Sequence, residues 1–259
     1  MKRVVIETMQ DRREQMLAHI SNKGEASIAE LSAIFPDVST MTIRRDLEFL
    51  EARGEVVRTK GGAKSIKHLS LRHEAAYHYR ESENEDLKQE IAEKTVSLID
   101  DDSCVYFDAG STMMHVAKKL GDKPIFAITN DPNIAMELIK NPNCEVCMTS
   151  GKLNRRNISL SGLGAEQFLS GINIGTAIMA SSAYSPDLGF TCGTYDEAAL
   201  KRAVIASAKR VILVMDSTKF SLSHPFTFAR PTDIDYFVTD SQVDKTTIAH
   251  LARAGVRLI

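Results

Sequence analysis

Residues 38–54 restrict the fold of this chain more than any other segment. Ile43, Leu47 and Leu50 recur at the spacing i, i+4 and i+7, which places them on one side of an α-helix. Ser39 precedes this run and suits the N-cap position, because its hydroxyl can accept a hydrogen bond from a free backbone N–H of the first turn. The segment therefore predicts one helix with a buried apolar side and an exposed side that carries threonine and arginine.

Shorter elements surround this helix in an informative order. Apolar spacing predicts a helix over Thr8 to Asn22 and another from Ser27 to Phe35, and Gly61-Gly62 suits the tight turn of a hairpin. From Val56 to His73 the sequence has five basic residues and no acidic residue. Three helices followed by a basic hairpin indicate a winged helix-turn-helix, whose predicted partner is double-stranded DNA. The residues expected in its core are Met16, Leu17, Ile20, Ile28, Leu31, Ile34, Ile43, Leu47 and Leu50.

The first turn of the central helix carries the residues that we expect to read DNA. A recognition helix meets base edges with its N-terminal residues, and arginine is the commonest specific reader of guanine. Basic residues on the hairpin can neutralise phosphates, which adds affinity without sequence information. Two arginines on an exposed face can also be mere solvated charge on a structural helical bundle, so the interpretation depends on the order of the elements. The predicted DNA-binding residues are Ser39, Thr40, Met41, Thr42, Arg44, Arg45, Arg58 and Lys60.

Composition excludes several classes of protein. The 259 residues are 43% hydrophobic and 25% charged, which is ordinary for a globular protein with a sizeable core. A net charge of −2 argues against a nonspecific binder of polyanions. No run approaches the roughly 20 apolar residues of a membrane span. The N-terminus has only three apolar residues before an acidic one, too few for a signal peptide. We therefore expect a cytoplasmic protein without a membrane partner.

The cysteines do not indicate a disulfide framework or a metal site. Cys144 and Cys147 are three residues apart in a predicted strand, which puts their side chains on opposite faces. We interpret both as small buried apolar residues. The sequence contains neither a P-loop nor a dinucleotide fingerprint nor a set of metal ligands, so we predict no cofactor, no metal and no catalytic residues.

The sequence pattern divides the chain into two domains. Residues 1–63 form the predicted winged helix-turn-helix domain, and residues 64–83, which are polar and irregular, form a linker. Over residues 84–259 apolar strands alternate with helices, which indicates a mainly parallel sheet covered on both faces. The predicted fold class is α/β, with an N-terminal winged helix-turn-helix followed by a Rossmann-like α/β domain.

Polar residues cluster where the predicted strands end. Ligands of such sheets bind beyond the carboxyl ends of the strands, and a helix N-terminus there favours an anion. The strand ends supply small residues, hydroxyls, carboxylates and ammonium groups, which together suit a phosphorylated polyol. Individually, these residues can also be turn formers, helix caps or, for Glu197 and Lys201, an exposed ion pair at i and i+4. The predicted effector-binding residues are Asp108, Gly110, Ser111, Thr112, Asn130, Gly151, Lys201, Asp216 and Lys219.

Several short motifs resemble the signature of the DeoR family of bacterial regulators, and the resemblance covers nearly the whole chain. They are TIRRDL at 42–47, RTKGGA at 58–63, DAGST at 108–112, TN at 129–130, EAALK at 197–201 and DSTKF at 216–220. The resemblance implies a winged helix-turn-helix joined to a sensor domain that is similar to ribose-5-phosphate isomerase and senses a sugar phosphate. Three positions depart from the family pattern: Lys60 replaces a frequent histidine, Asp131 a usual serine or glycine, and Ser150 a usual glycine.

Together these features predict a DNA-binding transcriptional regulator. We expect a repressor of a sugar or sugar-derivative catabolism operon that a phosphorylated sugar releases from its operator. One recognition helix per chain predicts a homo-oligomer, a dimer or a tetramer, on a repeated or palindromic site. The alternatives are a transcriptional activator, or a sugar-phosphate isomerase or deaminase-like enzyme fused to a DNA-binding domain. Because no histidine accompanies the carboxylates in the motifs and fold resemblance is not activity, we predict that the protein is not an enzyme.

Overall fold

The computed structural model describes residues 9–23, 25–53, 55–59, 61–65, 77–220 and 222–259. The chain forms two compact units that divide between Ala75 and Ala76. Lys60, a predicted DNA contact, and residues 66–76 of the predicted linker lie outside the described residues. No helix within the described ranges is long and apolar enough to cross a membrane.

The N-terminal unit is a winged helix-turn-helix. In chain order its elements are α1 (Met9–Lys23), β1 (Glu25–Ser27), α2 (Ile28–Ile34), α3 (Thr40–Ala52), β2 (Val56–Thr59) and β3 (Gly62–Ser65). β3 lies between β1 and β2 and pairs antiparallel with both, so that β2 and β3 form the wing. α3 begins directly after Ser39, and the two earlier helices agree with their predicted bounds to about one residue.

One apolar core joins the three helices and the small sheet. Its buried side chains include Met16, Ile20, Leu31, Phe35, Ile43, Leu47 and Leu50. Three further predicted members, Leu17, Ile28 and Ile34, are partly buried and pack against this core. The large ring of Phe35, at the C-cap of the short helix α2, is buried in the core as well.

A buried carboxylate ties α1 to α3. The side chain of Asp46 is 1% exposed, and its two oxygens accept hydrogen bonds from Nε of Arg12 at 2.6 Å and from Nε of Arg13 at 2.8 Å. The guanidinium of Arg13 also lies over the ring of Phe49, 3.9 Å from its centroid. Two charge-assisted hydrogen bonds to one buried carboxylate hold α3 firmly against α1.

The C-terminal unit is an α/β domain. In chain order its elements are α4 (Tyr77–Ser82), α5 (Glu85–Val96), β4 (Ser103–Phe107), α6 (Ser111–Lys119), β5 (Ile125–Thr129), α7 (Pro132–Leu138), β6 (Cys144–Met148), β7 (Lys152–Asn154), β8 (Ser159–Ser161), α8 (Leu163–Leu169), β9 (Ile174–Ala180), β10 (Ala183–Ser185), β11 (Gly189–Cys192), α9 (Tyr195–Ser207), β12 (Ala208–Val214), a 3-10 turn (Ser217–Lys219), β13 (Phe226–Ala229), a second 3-10 turn (Pro231–Asp233), β14 (Tyr236–Val238), α10 (Lys245–Arg253) and β15 (Arg257–Leu258). Strands β7 and β8 pair with each other, and β11 pairs with β10 and β13.

Seven strands form the central sheet, in the order β15-β14-β12-β9-β4-β5-β6. Every neighbouring pair is parallel, which confirms the predicted sheet. The chain enters at β4, adds β5 and β6 on one side, and returns at β9 to add the remaining strands on the other side. The strand order therefore reverses between β4 and β9, where a ligand crevice opens beyond the carboxyl ends in sheets of this kind.

Helices cover both faces of this sheet. Side chains of α5, α6 and α7 belong to the apolar cluster on one face, and those of α8, α9 and α10 to the cluster on the other face. Cys144 belongs to the first cluster and Cys147 packs against the second, which confirms that the two side chains lie on opposite faces.

The predicted linker is partly helical. α4 occupies Tyr77–Ser82, so the residues assigned to the linker include a short helix. The polar composition concealed the helix because it has fewer than two turns and buries Tyr77 as its main apolar anchor. The backbone N–H of Tyr77 donates to the carbonyl oxygen of Arg156 at 3.0 Å, which fastens the start of α4 to the α/β domain.

Replacement of Asp46 by alanine should destabilise the N-terminal unit by about 3 kcal/mol, because it leaves two largely buried arginines without their carboxylate. Glu48→Ala is a matched control on the same helix, since the exposed ion pair of Glu48 with Arg58 contributes less than about 1 kcal/mol. Hydrogen exchange over residues 40–52 measures both effects. Exchange should be about a hundredfold faster in Asp46→Ala, and equal rates in the two variants would show that the bridge does not hold α3.

Candidate functional sites

The start of α3 presents an exposed polar face. The hydroxyl of Ser39 accepts a hydrogen bond from the N–H of Thr42 at 3.2 Å and lies 2.9 Å from the Thr42 hydroxyl. Ser39 is therefore the predicted N-cap, and the two hydroxyls are bonded to each other. The side chains left fully open to solvent on this face are those of Thr40, Met41, Arg44 and Arg45. Among them Met41 is 61% exposed.

Arg58 on the wing is held by acidic residues of α3. Its Nη1 lies 2.5 Å from Oε1 of Glu48 and its Nε lies 3.7 Å from Oε2 of Glu51. The backbone N–H of Arg58 also donates to Oε1 of Glu51 at 3.0 Å. All three side chains are exposed, so each ion pair contributes less than about 1 kcal/mol, and a DNA phosphate can replace it. The sequence pattern did not reveal this arrangement, because the carboxylates belong to a different element.

Asp108 and Lys201 form a buried ion pair where the strand order reverses. They are 2% and 4% exposed, and Nζ of Lys201 donates to Oδ2 of Asp108 and, at 2.9 Å, to the carbonyl oxygen of Ala180. The carboxylate also accepts hydrogen bonds from the N–H groups of Ala180 and Ala109, both at 2.9 Å. Burial opposes the charge of Lys201, but the carboxylates of Asp108 and Glu197 outweigh it and raise the pKa of the lysine. Two predicted effector contacts are thus bonded to each other.

The loop after β4 leads into the N-terminus of α6. Gly110 is the N-cap with a φ of +136°, a conformation that residues with a side chain rarely adopt. α6 begins at Ser111, so Ser111 and Thr112 lie in its first turn. The first turn of a helix has N–H groups without helical partners and a partial positive charge, and both favour an anion.

Two charged side chains from other elements lie beside Gly110. Oδ2 of Asp131 accepts a hydrogen bond from the N–H of Gly110 at 3.4 Å. Nη1 of Arg80 lies 3.9 Å from the position that a Cβ on Gly110 would occupy. The other oxygen of Asp131 caps α7, accepting from the N–H groups of Asn133 at 2.8 Å and Ile134 at 3.3 Å. Asp131 thus joins the start of α6 to the start of α7.

Asn130 and Gly151 shape the loops after β5 and β6. Nδ2 of Asn130 donates to the carbonyl oxygen of Leu160 at 3.0 Å, which ties β8 to the sheet edge. A Cβ on Gly151 would lie 2.7 Å from the carbonyl oxygen of Ser161, so only glycine fits here. Ser150 donates from Oγ to the carbonyl oxygen of Gly164 at 2.7 Å. The contacts of these three residues hold loops together.

Asp216 and Lys219 flank the 3-10 turn after β12. The carboxylate of Asp216 accepts hydrogen bonds from the N–H of Thr218, at 3.1 Å, and from the Thr218 hydroxyl. Asp216 is therefore the cap of this turn and is 2% exposed. Lys219 ends the turn and is partly exposed, which leaves its ammonium group within reach of a ligand.

Lys88 is a buried cation that the sequence analysis missed. It is 3% exposed, and its Nζ donates to the carbonyl oxygens of Arg80 and Glu83 at the end of α4. Burial lowers the pKa of Lys88 to about 8, Asp216 opposes this shift, and Lys219 adds to it. The signal was in the spacing, because Lys88 precedes the buried residues Ile91, Ala92 and Thr95 by three, four and seven positions. Arg80 was missed as well, since it lay in the predicted linker.

Several groups that can donate hydrogen bonds to an anion therefore lie at the carboxyl edge of the sheet. The first turn of α6, Arg80 and Lys219 supply positive charge. Lys88 is bonded to two backbone carbonyl oxygens, and the carboxylates of Asp108 and Asp216 are occupied by internal partners. In the described part of the chain, no three histidine, cysteine, aspartate or glutamate side chains cluster so as to hold a metal ion. The positive charge and the backbone N–H groups at this edge favour an anion over a cation.

Solved structures share parts of this architecture. The structure of ribose 5-phosphate isomerase A from Methanocaldococcus jannaschii aligns with 53% of this chain and 55% of its own, at 17% identity and a TM-score of 0.40. The sorbitol operon regulator SorC from Klebsiella pneumoniae aligns with 95% of this chain and 100% of its own, at 11% identity and a TM-score of 0.41.

Sequence relatives cover almost the whole chain. The model of the DeoR-like helix-turn-helix domain matches residues 12–68, and that of the DeoR C terminal sensor domain matches residues 83–241. The transcriptional regulator GlpR of Haloferax volcanii is 34% identical over 250 residues, which are 96% of each protein. The transcriptional repressor AccR of Agrobacterium fabrum is 32% identical over 240 residues, which are 92% of each protein. The chain therefore belongs to the DeoR family of transcriptional regulators.

Proposed function

We propose that this regulator represses a sugar-catabolism operon and that a sugar phosphate releases it from its operator. The observation that carries this proposal is a set of groups at the carboxyl edge of the sensor domain that can donate hydrogen bonds to an anion. The first turn of α6 and Lys219 supply these groups. Both follow strands of the central sheet, and ligands of such sheets bind beyond the carboxyl ends of the strands, where the strand order reverses. The name of AccR as a transcriptional repressor supports the choice of repression.

The exposed face of α3 supplies the contacts to DNA. Arg45 and Arg44 reach base edges, with Thr40 and Met41 beside them on the floor of the major groove. The bridge from Asp46 to α1 holds the backbone of this helix in place, so little backbone freedom is lost on binding. Backbone phosphates are contacted by the remaining predicted residues, Ser39, Thr42, Arg58 and Lys60.

The effector is held at the carboxyl edge by two kinds of residue. The loop 110–112 and the ammonium of Lys219 contact it directly, donating hydrogen bonds to its phosphate. The buried pair of Asp108 and Lys201 forms the floor of the crevice, and the capping carboxylate of Asp216 keeps the 3-10 turn in place. Asn130 and Gly151 contribute through the loops that they position.

Release requires a difference in affinity between two states. Each chain has one recognition helix, so specific binding uses a homo-oligomer, a dimer or a tetramer, on a repeated or palindromic operator. A ligand shifts such an assembly only by binding one of its states more tightly than the other. The sugar phosphate prefers the state in which the spacing of two recognition helices does not match the operator.

The sensor domain acts by binding and does not turn the effector over. An acid–base catalyst needs a group that is free to exchange a proton with the substrate. Asp108 is bonded to Lys201 and to two backbone N–H groups, and Asp216 caps a turn. These two carboxylates are therefore engaged in holding the fold, which favours a binding role over the enzymatic alternative.

Arg45→Ala should weaken binding to the operator by about 1–3 kcal/mol, because the variant loses hydrogen bonds to a base edge. Arg53→Ala is the matched control: Arg53 follows the last turn of α3 and pairs with Glu55. Fluorescence anisotropy at fixed salt, with an operator duplex selected from genomic fragments, measures both affinities. Equal losses in the two variants would assign Arg45 to general electrostatics and not to base reading.

Lys219→Ala should leave operator binding intact and abolish the response to the effector, because it removes an ammonium group that donates a hydrogen bond to the phosphate. A thermal-shift screen of sugar phosphates, with the parent sugars as controls, identifies the ligand for this comparison. Lys201→Met serves as the contrast, because it leaves the buried carboxylate of Asp108 without its ion-pair partner. Its sensor domain should have a thermal unfolding midpoint well below that of the natural protein. If Lys219→Ala also loses operator binding, Lys219 has a structural role.

A further inference from the structure

The strands of the wing carry two basic side chains, and both are paired inside the DNA-binding domain. Arg58 on β2 contacts the carboxylates of Glu48 and Glu51 on α3. Lys64 on β3 has its Nζ 3.1 Å from Oε2 of Glu25 on β1. Among the described residues of β2 and β3, every positive side chain thus has a carboxylate partner from another element.

The arginines at the start of α3 are in a different state. Arg44 and Arg45 are exposed, and within the described ranges neither has an ion-pair partner. The proposed readers of base edges are therefore available before DNA binds, whereas the wing arginine proposed to contact a phosphate is engaged.

The carboxylates that hold Arg58 lie close to the path of the DNA backbone along the wing. Arg44, Glu48 and Arg58 line one groove between α3 and the wing. Glu48 follows Arg44 by one helical turn, so both side chains lie on the same side of α3. When Arg58 turns to a phosphate, Glu48 and Glu51 lose their cation and remain near a polyanion that repels them. Phosphate binding by Arg58 is therefore opposed by lost ion pairs and by repulsion.

We propose that Glu48 and Glu51 compete with the DNA backbone for Arg58 and thereby lower the affinity of the protein for DNA of any sequence. The inference rests on the proposed contact of Arg58 with a phosphate. Phosphate contacts supply nearly all of the affinity for DNA of arbitrary sequence, and base contacts add to it at the operator. Because the two carboxylates weaken a phosphate contact, they increase the share of base contacts in the total affinity for the operator.

A double-mutant cycle distinguishes this competition from a general effect of charge. The four full-length proteins are the natural protein, the double variant Glu48→Gln/Glu51→Gln, Arg58→Ala, and the variant with all three substitutions. Glutamine keeps the length of glutamate and an oxygen acceptor, so the backbone N–H of Arg58 can keep its hydrogen bond to position 51. Fluorescence anisotropy at constant low salt gives the affinity of each protein for a labelled duplex of arbitrary sequence, which requires neither the operator nor the effector.

Arg58→Ala should weaken DNA binding at least about threefold more in the double variant than in the natural protein. In the natural protein, the substitution also removes the cost of separating Arg58 from its two carboxylates, so the net loss of affinity is smaller. Losses that agree within about twofold would overturn the competition. If Arg58→Ala has no effect in either protein, the proposed phosphate contact of Arg58 fails as well.

The control is a variant that loses the same charge at other places in the domain. Glu14→Gln/Glu55→Gln also removes two carboxylates: Glu14 accepts from Gln10 on α1, and Glu55 pairs with Arg53. In this background Arg58→Ala should weaken binding as much as it does in the natural protein. A threefold larger loss here would assign the effect to net charge and contradict a specific role of Glu48 and Glu51.

The salt dependence provides a second readout of the same competition. Glu48→Gln/Glu51→Gln should bind the duplex more tightly than the natural protein at low salt. Its plot of log affinity against log salt should be steeper by up to about one unit, because Arg58 then acts as a complete phosphate contact. A double variant with the affinity and the slope of the natural protein would show that the carboxylates do not oppose DNA binding.

Discussion

The buried pair of Asp108 and Lys201 is the contact on which the C-terminal domain depends. The register between β4 and β9 runs up to Phe107 and Ile178, and the N–H of Asp108 donates to the carbonyl oxygen of Ile178 at 3.0 Å. The N–H of Ala180 then donates to Asp108, and its carbonyl oxygen accepts from Lys201. The side chains of Asp108 and Lys201 thus pair the two backbone groups of Ala180, which would otherwise be unpaired in the interior. The N–H and the carbonyl oxygen of Ala180 are therefore both paired where the strand order reverses.

Aspartates at the starts of helices and turns organise the rest of this edge. Asp131 caps α7 and Asp216 caps the 3-10 turn, so that carboxylates close to the crevice are engaged by backbone N–H groups. Such bonds hold short elements in fixed positions, because each cap satisfies donors that have no helical partner. The two lysines at this edge differ in exposure. Lys88 is buried and donates to the carbonyl oxygens of Arg80 and Glu83 at the end of α4, whereas Lys219 is partly exposed. This distribution separates the residues that build the edge from those that are available to a ligand.

Local patterns predicted much of this fold, and contacts between distant residues account for what they missed. The spacing of Ile43, Leu47 and Leu50 predicted α3 nearly to the residue, because one apolar stripe determines which side of a helix is buried. The partner of Asp46 is 34 positions away, and that of Asp108 is 93 positions away, so no periodicity could reveal either bridge. The motifs that predicted the effector residues contain both buried structural residues and partly exposed residues. Only burial and hydrogen bonding distinguish Lys201 from Lys219.

A sensor has to be stable both with and without its ligand, and an empty anion site opposes this requirement. The first turn of α6 has unpaired N–H groups and a partial positive charge whether or not a phosphate is present. Asp131 reduces this cost in the empty state, because its carboxylate accepts the N–H of Gly110. The other oxygen of the same carboxylate caps α7, so one buried side chain joins the starts of two helices. The start of α6 is therefore held in place before any ligand binds, which reduces the conformational freedom that is lost on binding.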